Sequence, residues 1–178
     1  MKNRRTQKIV IIVTAVFIVG ALLFMFGGNL FNGSGSGKAR KTDSTVMPEA
    51  TGTTNEIRKT TVVSQDFTNT TDTISAVGVV FVRSAYMENV YLNIDLLDGS
   101  KVLASTTVNV KNIEEQHRTY VTPASRLTGM KGKTLTLKIY PSEKEDTGIK
   151  IMMSDAVDSS FKFGNVTYEG SLCFSVTE

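Results

Sequence analysis

The sequence predicts an all-β domain, a sandwich of two antiparallel sheets, displayed behind one apolar N-terminal helix. Three observations predict it. The run Ile9–Phe26, IVIIVTAVFIVGALLFMF, is eighteen residues long and carries no charge. From Ile57 onward, apolar residues alternate with polar ones at period two, the mark of strands with one buried face. No amphipathic stretch of period 3.6 interrupts them, and short strands without helices pack as two layers.

Residues 1–8 form a basic tail containing Lys2, Arg4, Arg5 and Lys8. Residues 9–31 follow as a transmembrane helix in contact with the lipid bilayer. Eighteen residues of helix span about 27 Å, close to a hydrocarbon core of about 30 Å. Positive charge crowded against the N-terminal side predicts that this end is cytoplasmic and that the C-terminal domain lies outside. Two other readings compete. A cleaved signal peptide has a shorter apolar region and a small-x-small cleavage site, and Gly35-Ser36-Gly37-Lys38-Ala39 is a poor one. A buried core helix would carry a polar face, which this run lacks.

Residues 32–55 read as a flexible linker. Asn32-Gly33-Ser34-Gly35-Ser36-Gly37 is a Gly/Ser spacer, and the threonine-rich segment after it has little apolar surface to offset its ordering entropy. The remaining residues, 56–178, are enough for one domain with its own core.

Within that domain Val90, Leu92, Ile94 and Leu96 alternate with Tyr91, Asn93, Asp95 and Leu97. Leu135, Leu137 and Ile139 alternate with Thr134, Thr136 and Lys138, and Leu172, Phe174 and Val176 with Cys173, Ser175 and Thr177. Val79–Val82 is denser and predicts a central strand. Further strands fit 58–64, 101–110, 118–122 and 148–153. Turn signals separate them at Asp98-Gly99-Ser100, Gly129-Met130-Lys131-Gly132, Pro141-Ser142 and Glu169-Gly170. Residues 112–116 suit one helical turn. Ile94, Leu96, Leu137, Ile139 and Phe174 are the expected core.

The order of these features carries a resemblance: Gln65-Asp66-Phe67, Ile74–Phe81, Val90–Leu96 with Asp98-Gly99, Gly129–Lys133 leading into Leu135–Ile139, Gly148, and Tyr168-Glu169-Gly170 before Leu172-Cys173-Phe174. It resembles a family of extracytoplasmic jelly-roll domains that are similar to carbohydrate-binding modules and occur beside multi-spanning bacterial envelope proteins. The resemblance implies a two-sheet jelly roll over residues 57–178. The enzymatic contexts of that family do not transfer, because this chain has no catalytic module.

Composition narrows the function. A net charge of +3, much of it at the membrane flanks, and no basic run interleaved with aromatics argue against nucleic-acid binding. One cysteine, Cys173, allows no internal disulfide, and a cysteine-poor outer domain suits a bacterial, Gram-positive surface. A single histidine, His117, in the polar stretch Glu114–Arg118, supports neither a multi-histidine zinc site nor a nucleophile elbow. Asp155 and Asp158 are the candidate ligands for a structural calcium ion, the one cofactor expected. For a ligand, Tyr140, Phe161 and Tyr168 are the candidate aromatics, because an aromatic face packs against the C–H groups of a pyranose ring. Phe161 and Phe163 share one alternation face, which equally suits core. The expectation is a non-enzymatic protein that binds envelope polysaccharide. The alternative is an accessory that docks a neighbouring membrane protein and has no glycan ligand.

Overall fold

The computed structural model describes residues 46–143 and 145–178. The basic tail, the apolar run 9–31 and most of the linker lie outside the described residues. Among the described residues, no helix is long and apolar enough to cross a membrane.

The described chain is built from strands: β1 (Gly52–Thr53), β2 (Val63–Thr68), β3 (Ala76–Arg83), β4 (Tyr91–Asp98), β5 (Lys101–Asn109), β6 (Arg118–Val121), β7 (Thr134–Pro141), β8 (Ile149–Ser154), β9 (Ser160–Phe163), β10 (Val166–Glu169), β11 (Ser171–Leu172) and β12 (Phe174–Thr177). They form two six-stranded antiparallel sheets. One has the order β10-β9-β2-β7-β4-β5. The other runs β1-β8-β3-β12, with β11 also on β8 and β6 on the far side of β3.

Period-two alternation decides which face is buried. Leu92, Ile94 and Leu96 of β4 and Leu135, Leu137 and Ile139 of β7 point inward and are fully buried. They share one core with Val77, Val79 and Phe81 of β3 and Ile149 and Ile151 of β8 from the other sheet. The rings of Phe67 on β2 and Phe174 on β12 meet across the two layers, 4.8 Å apart. Each such side chain contributes roughly 1.5–3 kcal/mol by leaving water. The five core residues expected from sequence are all in this cluster.

The second sheet contains a fork. β3 and β8 pair at Phe81↔Ile151 and Arg83↔Ile149 and then diverge. The C-terminal segment enters between them. Ser171 and Leu172 pair with β8, and Phe174–Thr177 pair with β3. The chain turns at Cys173, whose N–H donates to the Met152 carbonyl while its own carbonyl accepts from Val80. The thiol is buried there, and burial pushes its pKa up to about 11, so it stays protonated at neutral pH. Gln65, inward on β2, locks the fork to the opposite sheet. Its Oε1 accepts from Leu172 N at 2.7 Å, and its Nε2 donates to Ser171 Oγ at 2.8 Å and Ser159 Oγ at 3.1 Å.

Four local features differ from the sequence reading. β2 begins at Val63, not residue 58, because Arg58–Thr61 closes a turn in which the Thr61 N–H donates to the Arg58 carbonyl at 2.7 Å. The helical turn lies at Val110–Asn112, earlier than expected, because the Asn109 side chain caps Lys111 N. The β9–β10 hairpin is new. It closes through Gly164-Asn165, with Gly164 at φ 62°, a backbone conformation glycine adopts without strain. Ordered strand also starts at Gly52, ahead of residue 56: Thr54 Oγ1 accepts from Ile151 N, and Ile57 N donates to the Ile149 carbonyl.

Candidate binding face on the outer side of one sheet

Register on the β10-β9-β2-β7-β4-β5 sheet aligns its outward side chains in rows. Ser105, Asp95, Lys138, Ser64, Lys162 and Thr167 are successive cross-strand partners. At about 4.8 Å per strand this row crosses roughly 24 Å. The next row holds Thr107, Asn93 and Tyr140. On the other side of the first row, Asp66 faces Thr136.

Neighbouring side chains hold one another in place. The Tyr140 hydroxyl donates to Asp95 Oδ2 at 2.9 Å, and Ser105 Oγ donates to Asp95 Oδ1 at 2.6 Å. Asp95 is thereby only 6% exposed although it sits on the outward face. Thr107 Oγ1 donates to Asn93 Oδ1 at 2.7 Å, and Thr136 Oγ1 to Asp66 Oδ1 at 2.6 Å. The Lys138 ammonium stands 4.9 Å from the centre of the Tyr140 ring, a cation–π contact. Burial, then the hydrogen bond to Asp95 and its charge, raise the Tyr140 pKa, so the phenol keeps its proton and its role as donor.

Tyr91 joins Tyr140 at one end of this face. Asn93 is the direct partner of Tyr140, and Tyr91 stands two residues before it, a diagonal neighbour at about 7–8 Å. Tyr91 is 38% exposed. Toward the β9–β10 end lies a recess of about 310 Å³, lined by Ser64, Asp66, Ser160, Lys162 and Thr167 among others. The face therefore offers aromatic surface at one end and both signs of charge with several hydroxyls along it. That is a surface suited to a neutral polyhydroxylated ligand, with fixed donors and acceptors at strand spacing.

Of the three aromatics expected from sequence, Phe161 and Tyr168 come together and line a recess of about 120 Å³ with Phe163 and Met153, while Tyr140 stands apart. Tyr140 belongs to this outer face. Phe161 is 2% exposed and belongs to the core. Tyr168, its cross-strand partner, stacks on it at 5.5 Å and meets the edge of Phe163, so both point to the inner side of the hairpin. Asp155 and Asp158 are exposed in the loop between β8 and β9, where Asp155 N donates to Thr51 Oγ1. Among the described residues, no group of three or more His, Cys, Asp or Glu side chains is placed to hold a metal ion. His117 is largely exposed, with Glu114 4.0 Å away.

No protein-family model matches the chain, and a search of curated proteins returns no match. The site therefore stands on its own geometry. Tyr91, Asn93, Asp95 and Lys138 were legible only as the solvent-facing half of two alternating strands. The available signal was their chemistry: the outward positions of β4 read Tyr-x-Asn-x-Asp, and those of β7 end Lys-x-Tyr.

Proposed function

We propose that this is a membrane-anchored, non-enzymatic protein whose outer domain, a sandwich of jelly-roll type, binds cell-envelope glycan. The apolar run 9–31 anchors it with the N-terminus in the cytoplasm, and the ligand lies across the outward face of the β10-β9-β2-β7-β4-β5 sheet. The observation that carries the reading is Tyr140. Its ring is fixed by Asp95 through the hydroxyl and by Lys138 over the face. An aromatic held in one rotamer beside committed polar groups loses little entropy on binding a sugar ring. Tyr91 extends the aromatic end, and the recess around Lys162 takes sugar hydroxyls at the other.

The test is titration of the full-length chain, in detergent micelles, with a panel of isolated envelope polysaccharides, with and without calcium. At least one polysaccharide binds saturably, and Tyr140→Ala and Tyr91→Ala each weaken it about tenfold, roughly 1.4 kcal/mol. Tyr120→Ala serves as control. Tyr120 is on the other sheet, 45% exposed, with its ring across Gly78. Loss of binding on chelation would favour calcium in the Asp155–Asp158 loop, and Asp155→Asn with Asp158→Asn would then abolish the calcium dependence. Binding to no member of the panel by a folded chain would refute the glycan reading and favour a protein partner.

A further inference from the structure

The edges of the two sheets differ sharply in length. β6, β10 and β12 span four residues each and β1 two. β5 spans nine, pairs with β4 along its length, and has no strand on its other side among the described residues. A free edge presents unpaired backbone N–H and C=O groups, and folded proteins blunt it by shortness, proline or inward-pointing charge. The other edges are blunted by shortness. β5 is not short, and its one bulge lies near its start, at Leu103; from Val102 to Asn109 the sequence VLASTTVN contains no charge and no proline. It is rich in β-branched residues, and Val102 is 51% exposed.

We infer that β5 pairs antiparallel with β5 of a second copy of this chain about a twofold axis. Charge selects this occupant and its register, and facing is kept by any register with one residue on the axis. The uncharged stretch meets itself without like-charge repulsion, and the axial hydroxyl faces its own copy across the pair. Lys101 and Lys111 flank it, and a register centred on Thr106 would set each against the other's copy. Residues opposite one another in an antiparallel pair share a face. Ser105 and Thr107 both project to the outer face, where they bond Asp95 and Asn93. A register with Ser105 or Thr107 on the axis therefore keeps outer face beside outer face and separates the lysines. The two sheets join into one of twelve strands. Backbone hydrogen bonds, rather than area, supply the affinity, as in other strand additions.

Cysteine cross-linking on the full-length chain in detergent micelles tests this, with single cysteines placed in turn from position 102 to 109. Cys173 is buried and protonated, so the introduced thiol is the reactive one. Oxidation yields a covalent dimer that peaks at Ser105→Cys or Thr107→Cys and falls at least fivefold by Val102→Cys. In the chain without an introduced cysteine, a lysine at that peak position (Ser105→Lys or Thr107→Lys) sets two ammonium groups against each other on the axis and lowers the dimer fraction at least fivefold by sedimentation, with an unchanged melting curve confirming the fold. Absence of cross-links at every position, equal cross-linking at all of them, or a dimer undiminished by the lysine would each overturn the inference.

Discussion

Replacing Phe174 by alanine lowers the unfolding free energy by about 3–5 kcal/mol, in the range of large aromatic truncations in close-packed cores. Phe174 is 2% exposed and touches Phe67 across the layers. It is also the first residue after the turn at Cys173, where the C-terminal segment commits to β3. The site collapses poorly, because β12 is tied to β3 and the facing β2 to β7 by backbone ladders, so the cavity term adds to the lost transfer energy. Against a typical total of about 5–15 kcal/mol this is a large share. The check is thermal or urea unfolding of the full chain, where the midpoint falls by roughly 10–20 °C. A fall under about 3 °C would mean that the two layers do not meet at this ring pair.

Replacing Gln65 by methionine, close in volume, costs about 2–3 kcal/mol by a different mechanism. The methionine fills the space but accepts nothing from the Leu172 N–H and donates nothing to Ser171 or Ser159. A buried donor left without a partner costs about 1–3 kcal/mol. The loss is concentrated at the fork, so hydrogen exchange of the Leu172 amide accelerates more than that of β4 or β7 amides. Equal acceleration throughout would show that Gln65 acts by packing alone.

These two residues also show what was legible in the sequence and what was not. Phe174 stands in a clean alternation, Leu172-x-Phe174-x-Val176, and its burial follows from period two. Gln65 occupies an equally inward position, but its polarity disguises the alternation Val63-x-Gln65-x-Phe67. A buried amide is recognisable only once its partners, more than ninety residues away in the chain, are in place. The fork could not be foreseen for the same reason. Pattern reports which face is buried, whereas two strands splaying to admit a third is a property of long-range pairing.

The proposed face was half legible. Tyr140 stood out as an aromatic at a strand end. Phe161 and Tyr168 carried the same local signal, and only the β9–β10 register turns them inward, one on the other. Asp95 and Asn93 looked like ordinary solvent-facing residues of β4. The β4–β7 register brings them to Tyr140, Lys138 and Tyr91, and hydrogen bonding makes Asp95 nearly inaccessible on an outward face. A one-residue slip would have sent every one of these side chains to the other side.

The chain has no tryptophan and five tyrosines, which distribute themselves over distinct surfaces. Tyr91 and Tyr140 share the proposed face. Tyr120 lies on the other sheet, Tyr168 packs inside the hairpin, and Tyr86 sits beside Arg83 in the loop after β3. Ring-labelled tyrosine NMR of the full chain, titrated with each member of the polysaccharide panel, therefore tests the proposed face directly. The Tyr140 and Tyr91 ring signals shift together and saturate with the binding curve, while those of Tyr120 and Tyr86 stay in place. Saturable binding that moves Tyr120 or Tyr86 and leaves Tyr140 unmoved would contradict the proposed face.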